Sequence, residues 1–174
     1  MNTTLGLDPV LDAARYRRAM GKFATGVTVI TFEHQGRVAG MTANAFLSLS
    51  VDPPMILVSV RAQSRFAQSV ESGDSFGVSF LAEEQEPLSR HFGGQQRETI
   101  DDPFDLVQNV PVVRNALVQI AARAEAIHPG GDHLIYTARV NALRESDGTP
   151  LLFFSGKYKQ IVAHDPSLCW MDWT

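Results

Sequence analysis

Phe23-Ala-Thr-Gly-Val-Thr-Val-Ile-Thr31 and, one turn later, Gly40-Met-Thr-Ala-Asn-Ala-Phe-Leu-Ser-Leu-Ser-Val-Asp-Pro-Pro54 are the stretches on which the fold turns. Val27, Val29 and Thr31 alternate with Thr28, Ile30 and Phe32, which predicts a strand through about Glu33. His34-Gln35-Gly36-Arg37 reads as the turn, and Val38 to Ser48 as a second strand. Asp52-Pro53-Pro54 stops it, because proline has no N–H for a ladder. Within that second run Thr42, Ala43 and Asn44 carry little bulk where a core strand normally carries much. A flat ligand could approach such backbone closely and be held by peptide N–H and C=O groups.

Working outward, Asp8 followed by Pro9 has the form of a helix start. Leu11, Ala19, Met20 and Phe23 fall near helical spacing and predict a buried stripe, with Gly21 near the helix end. Residues 1–7 read as a loose arm. Met55 to Val60 is an apolar run between breakers, hence a buried strand. Ser64 is placed to cap a short helix reaching about Glu71. Ser75 to Leu81 is a further strand, and Glu83 to Phe92 a second short helix stopped by Gly93-Gly94. Residues 95–111 form a long polar excursion, read as a lid or a dimer arm. Ala116 to Ile127 and His133 to Leu143 are strands joined by Pro129-Gly130-Gly131-Asp132. Asp147-Gly148 is another turn, and Leu151 to Phe154 reads as the last strand. Strands outweigh helices and their connections are short. The expectation is one domain over residues 1–174, mostly antiparallel β with a few helices, closed or nearly closed into a barrel.

Composition narrows the function. The chain has 174 residues, with 44% hydrophobic and 20% charged, ordinary for a globular domain. Its formal net charge of −4, with no long Lys/Arg cluster, argues against nucleic-acid binding. The single cysteine, Cys169, rules out an intrachain disulfide and suits a reducing, cytoplasmic setting. No signal peptide and no apolar run of membrane length stand out. Five histidines are present, none at the i, i+4 spacing of a helical zinc site. A Walker loop and a Gly-x-Gly-x-x-Gly fingerprint are both missing, so any nicotinamide cofactor is bound without a Rossmann unit.

The Phe23-to-Thr31 and Gly40-to-Pro54 blocks, together with Gly131-Asp132-His133, resemble the flavin reductase family that supplies reduced flavin to two-component monooxygenases. The resemblance covers roughly residues 16 to 160. It implies a split β-barrel of the FMN-binding type that forms a homodimer, with FMN or FAD as flavin, NADH or NADPH as hydride donor, and a separate monooxygenase as partner. It implies that Thr42, Ala43 and Asn44, with Thr25 nearby, form a backbone platform for the flavin ring. Ser59, at the end of an apolar strand, would reach the ring or ribityl chain. Ser64 and Arg65 sit where a flavin phosphate could be held, although an N-cap role explains Ser64 equally well. Arg90, His91 and Phe92 are matched to the phosphate or ring edge, and Tyr158, with Lys157, to a basic-aromatic pair beside the flavin. Two cations near a helix end also suit its dipole without any ligand. Gly131, Asp132 and His133 match the family's nicotinamide site, and the expected role is binding, since hydride transfer needs no protein base in that step. Ala45 departs from the family's frequent Ser, which implies one polar contact to the flavin fewer. A non-catalytic flavin carrier is the alternative. A pyridoxine-phosphate oxidase type of barrel would need a dense Arg/Lys cluster that the chain lacks.

Overall fold

The structure is a computed structural model and describes residues 12–95 and 100–161. The arm 1–7, the Asp8-Pro9 start and Leu11 lie outside the described residues. The described helix, α1 (Ala13–Met20), is capped by Asp12, whose carboxylate accepts from the Arg15 N–H at 2.6 Å. Gly21 ends it. The expected buried stripe does not form. Met20 is 53% exposed, Phe23 78% exposed, and Ala19 is exposed as well. The reason is positional: α1 buries none of its residues, and its end is tied to Ser155, whose N–H donates to the Gly21 carbonyl at 2.7 Å.

The strands follow as β1 (Thr25–Gly26), β2 (Thr28–His34), β3 (Arg37–Ala43), β4 (Phe46–Val51), β5 (Pro54–Arg61) and β6 (Ser75–Phe80). Then come β7 (Phe104–Val107), β8 (Val110–Val113), β9 (Val118–Gly130), β10 (His133–Glu145), β11 (Leu152–Phe154) and β12 (Lys157–Lys159). Two short helices, α2 (Arg65–Ser69) and α3 (Glu86–Phe92), complete the described elements, α3 being preceded by a single 3-10 turn. Seven strands form one antiparallel sheet in the order β3-β2-β6-β9-β10-β5-β4.

The run expected as one strand over Val38–Ser48 is therefore two strands at opposite ends of the sheet order. Only Asn44 and Ala45 join them. Laid flat, six strand spacings would separate these edges by roughly 29 Å. Three Cα steps reach at most about 11 Å. The sheet must curl until its edges meet, and it does so as a barrel split along the seam at Asn44–Ala45. Phe46 and Phe80 pack across it with ring centroids 4.9 Å apart. No glycine or proline stands at the break itself, between Met41 and Ser48, so the sequence there carries no break signal.

The barrel interior is filled by Ile30, Phe32, Val58, Phe76 and Tyr136, with α2 driving Phe66 in from one end. The Phe66 ring sits edge-on to Phe32, Phe76 and Tyr136 at centroid distances of 5.3, 5.2 and 4.9 Å. Burying such a ring stabilises by about 1.5–3 kcal/mol. A second cluster, with Val27, Val29, Leu81 and Leu151, lies on the outer face of β2. It is covered by α3 and by the small sheet β1-β11-β12. Both faces of β2 are buried for this reason, where alternation suggested one.

The 95–111 excursion leads into a hairpin, β7–β8, which the sequence reading did not anticipate. Residues 96–99 of it lie outside the described residues. The hairpin turns at Gln108 and Asn109, both at positive φ (47° and 64°), and positions of that kind usually carry glycine. It docks on the barrel through Pro111, whose carbonyl accepts from Thr31 Oγ1. Gly77 lies beneath it, and a Cβ there would meet that same carbonyl and the Thr31 hydroxyl. Leu152–Phe154 is also not the last strand, since Ser155-Gly156 turns the chain back into β12.

Candidate functional site

The end of β3 opens onto a cleft of about 140 Å³ at the seam, lined by Thr42, Ala43, Asn44, Ser89, Phe153 and Tyr158. A wider opening of about 440 Å³ shares Thr42, Ser89, Phe153 and Tyr158 and adds Arg90 and Lys157. Among the described residues β3 pairs only with β2, so one edge of it presents unpaired backbone groups. The Ala43 methyl is part of the packed barrel interior, while Asn44 is exposed.

A chain of hydrogen bonds holds this edge to α3 and β12. Thr42 Oγ1 donates to the Ser89 carbonyl at 2.7 Å, and the Ser89 and Tyr158 hydroxyls lie 2.8 Å apart. Ser89 is fully buried. Gly93 ends α3, and a Cβ there would press to 3.0 Å from the same Ser89 carbonyl. The Arg90 guanidinium lies over the Tyr158 ring at 4.8 Å and is fixed by Glu86 at 2.8 Å and Gln95 at 3.2 Å. Phe153 meets Tyr158 edge-on at 5.3 Å. Thr25 stands opposite Phe153 in the small sheet, and its buried hydroxyl has no hydrogen-bond partner among the described residues.

Other predicted residues sit elsewhere. Arg65, His91 and Phe92 line a cavity of about 780 Å³ at the opposite end of β3, together with Arg37, Gly40 and Phe104. Phe92 fits there because residue 40 is glycine: a Cβ would come within 2.7 Å of its ring. His91 Nδ1 is buried and unpartnered among the described residues. Ser64 spends its hydroxyl as the cap of α2, accepting from Ala67 N–H at 3.2 Å.

Gly131, Asp132 and His133 form the β9–β10 turn, where Gly131 takes φ 69°. His133 Nδ1 and Asp132 Oδ1 lie 2.7 Å apart. That hydrogen bond, and then the charge of the imidazole, hold the Asp132 carboxyl below its ordinary range. The register ties this turn to the seam. Ser59 N–H donates to the Ala45 carbonyl at 3.0 Å, Ser59 stands opposite Ile135, and His133 opposite Arg61. Two strand spacings and one two-residue step therefore separate Ala45 from His133, roughly 12 Å.

The arrangement suits a flat, partly polar ligand. Among the described residues it offers an unpaired strand edge, an aromatic wall of Phe153 and Tyr158, and a buried Thr25 hydroxyl that lacks a partner. The residues present thus fit a flavin, with Thr42–Asn44 toward the ring. Among the described residues no group of three or more His, Cys, Asp or Glu is placed to hold a metal ion.

A curled antiparallel sheet with a ligand cleft at its split defines the class of flavin-binding split barrels, and the comparisons agree. Residues 20–162 match the model of the flavin reductase like domain, and the chain belongs to that family. It is 40% identical over 165 residues to an NADH-dependent flavin reductase of Rhodococcus sp, covering 92% of this chain and 94% of the relative. It is 34% identical over 148 residues to the reductase component of 4-hydroxyphenylacetate 3-monooxygenase of Thermus thermophilus, covering 84% of this chain and 95% of that one. Among solved structures, the flavin reductase PheA2 in its native state superposes with a TM-score of 0.81 at 40% identity, covering 88% of this chain and all of PheA2.

Sequence reasoning missed Ser89, Phe153 and Arg37. Ser89 is a small polar residue inside a helix and has no pattern of its own. Phe153 needed the β11–β12 hairpin to be seen. Arg37 was read only as part of a turn.

Proposed function

We propose that this chain is an NADH-dependent flavin reductase that delivers reduced flavin to a separate monooxygenase. The observation that carries it is the unpaired edge of β3 at Thr42–Asn44, opening into a cleft walled by Phe153 and Tyr158. A bound flavin supplies the redox chemistry, accepting a hydride from NADH. The chain's own residues bind and orient. Thr42, Ala43 and Asn44 present peptide groups to the ring, and such groups favour developing negative charge on it. Thr25 offers its unpartnered hydroxyl from the neighbouring strand. Arg90, over Tyr158, keeps a cation beside the ring. Ser59, Ser64, Arg65, His91 and Phe92 serve the remainder of the flavin. Gly131, Asp132 and His133 receive the nicotinamide, and Asp132 fixes the imidazole's orientation at 2.7 Å.

The chain acts as a single-domain homodimer with the flavin near the interface. Support comes from apolar side chains the single chain leaves exposed: Met20 at the end of α1 and Phe23 beyond it, and Leu47, Leu49 and Val51 on the edge strand β4. Patches of that kind on a soluble chain mark interfaces, and two-fold closure is the commonest way to cover them. The excursion before β7 is a candidate arm of that dimer. Among the described residues no helix is long and apolar enough to cross a membrane, and we place the enzyme in the cytoplasm, where NADH is supplied.

Anaerobic stopped-flow tests the reading. NADH should abolish the visible absorbance of added flavin in the presence of catalytic amounts of the protein. A flavin that stays oxidised would reject it. Light scattering that gave a particle of single-chain mass would reject the dimer.

A further inference from the structure

We infer that Arg61, at the end of β5, holds the diphosphate of the dinucleotide hydride donor and so fixes its nicotinamide beside His133. The inference rests on the reductase reading above and adds a residue to the donor site.

The first argument is the shared face. Val58 and Val60 are buried in the barrel, so by alternation Ser59 and Arg61 stand on its outer surface, where Arg61 is exposed. Residues directly opposite on paired strands share a face. The register sets Ser59 against Ile135 and Arg61 against His133. On its other side His133 faces Gly130, which has no side chain. Arg61 is thus the side chain that stands beside His133 across the sheet. The backbone fixes this pairing, since Ala62 N–H donates to the Asp132 carbonyl at 3.1 Å and Ser64 N–H to the Arg61 carbonyl at 2.9 Å.

The second argument is charge. Asp132 holds His133 Nδ1 at 2.7 Å, which leaves Nε2 for a ligand. The same carboxylate is almost fully exposed, and it repels a donor that carries a negative charge on each phosphate. A cation has to offset it. The hydrogen bond to His133, then that imidazole's charge, and last the charge of Arg61 hold the Asp132 carboxyl below its ordinary range. Arg61 is therefore close enough to act on Asp132. Yet it makes no ion pair or side-chain hydrogen bond among the described residues, whereas Arg90, Arg114 and Arg139 are all engaged by carboxylates. A guanidinium fork left open in this way matches phosphate oxygens in pairs.

The third argument is reach. Ser59 N–H donates to the Ala45 carbonyl at the seam, at 3.0 Å. Arg61 lies two residues further along β5, roughly 7 Å at strand rise. In a nicotinamide dinucleotide the diphosphate lies one ribose beyond the reacting ring. A nicotinamide seated between the seam and His133 brings its diphosphate within the reach of the Arg61 side chain.

Steady-state kinetics with two donors tests this: NADH, and N-benzyl-dihydronicotinamide, which carries the reacting ring without any phosphate. Arg61→Ala should raise the NADH KM by about 10-fold or more, the loss of one charge-assisted fork. It should leave kcat and flavin affinity within about 2-fold and use the phosphate-free donor as the wild type does. Arg61→Lys should recover part of the KM. His133→Ala should lose activity with both donors, because it meets the ring. Added salt should raise the NADH KM of the wild type more steeply than that of Arg61→Ala. Arg144→Ala, exposed near the far end of β10, is the control and should change none of these. An unchanged NADH KM in Arg61→Ala would overturn the proposal. Equal losses with both donors would overturn it too, and reduce Arg61 to a support of the turn. A loss of flavin affinity would assign the cation to the flavin and overturn it as well. All three leave the reductase reading standing; that reading fails separately, if the wild type reduces flavin with neither donor.

Discussion

Removing the Tyr158 hydroxyl isolates the clamp that holds the flavin edge. In Tyr158→Phe the Ser89 hydroxyl, fully buried and bonded at 2.8 Å to Tyr158, is left with no partner among the described residues. An unsatisfied buried hydroxyl costs about 1–3 kcal/mol. Ser89→Ala strands instead the Tyr158 hydroxyl, which is only half-buried and can turn to water. Its cost should be nearer that of an ordinary hydrogen bond, about 0.5–1.5 kcal/mol. The double variant removes both polar groups together and should lose less than the sum. A coupling of about 1 kcal/mol is expected for groups in direct contact. Urea denaturation of the flavin-free protein measures all four corners of the cycle. At this chain length Tyr158→Phe should lower Tm by roughly 2–4 °C per kcal/mol. The same variant should weaken flavin binding several-fold, because the Ser89 carbonyl that receives Thr42 loses its anchor to β12. Losses that add to within about 0.3 kcal/mol, with flavin affinity unchanged, would show that the clamp carries no coupling and refute the reasoning.

Three further outcomes are expected. Gly77→Ala should push the β7–β8 hairpin off the barrel, since its Cβ meets the Pro111 carbonyl and the Thr31 hydroxyl that bond one another. Overpacking of that kind costs about 1–3 kcal/mol or more, and an unchanged urea midpoint would contradict the docking. His133→Ala should lower kcat/KM for NADH by about 10-fold or more and leave flavin affinity within about 2-fold, read by steady-state kinetics and flavin titration; unchanged kinetics in a folded variant would return His133 to a plain turn residue. The Asp132 carboxyl is depressed by its hydrogen bond to His133 and then by that residue's charge. A depressed carboxyl keeps its contribution above the ordinary carboxylate value and loses it only as pH falls through the folded value. The wild type should therefore keep the Asp132 contact from about pH 8 to about 5 and lose it only below about 4, while Asp132→Asn should lack it throughout and show weaker NADH use over that whole range; NADH use equal to that of the wild type would mean that the carboxylate does not position the imidazole.

Much of the fold could be read where local chemistry and tertiary context agree. The Ser64 cap on α2, the Gly93 stop of α3 and the Gly131 turn each follow from one residue with one conformational job. The split at Asn44–Ala45 could not be read, because β3 and β4 are separated by the curl of the whole sheet and not by any breaker. The β7–β8 turn escaped because Gln108 and Asn109 adopt positive φ where glycine is the usual signal. The apolar residues of α1 were assigned to a core of this chain, which they do not enter. In the site, Thr42–Asn44, Arg90 and Tyr158 do come together, and they were found by resemblance. Arg65, His91 and Phe92 fall in a different cavity from them, because Arg65 and Phe92 reach β3 near Arg37 and Gly40 and not near Asn44. Ser89 joins the first group only through helix packing, which a linear pattern does not display.

The unpaired edge of β3 also sets a timetable for proton exchange. Every second amide of Arg37–Ala43 points toward β2 and is locked in the ladder, while the alternate ones face the open side. In the flavin-free protein these two sets should exchange with solvent at different rates, in a two-residue rhythm along a single strand. β2, β6 and β9, paired on both sides, mark the slow limit. A ligand seated along the edge would slow the fast set and leave the slow set where it was. The strand would then report, amide by amide, how far along its length the bound molecule extends.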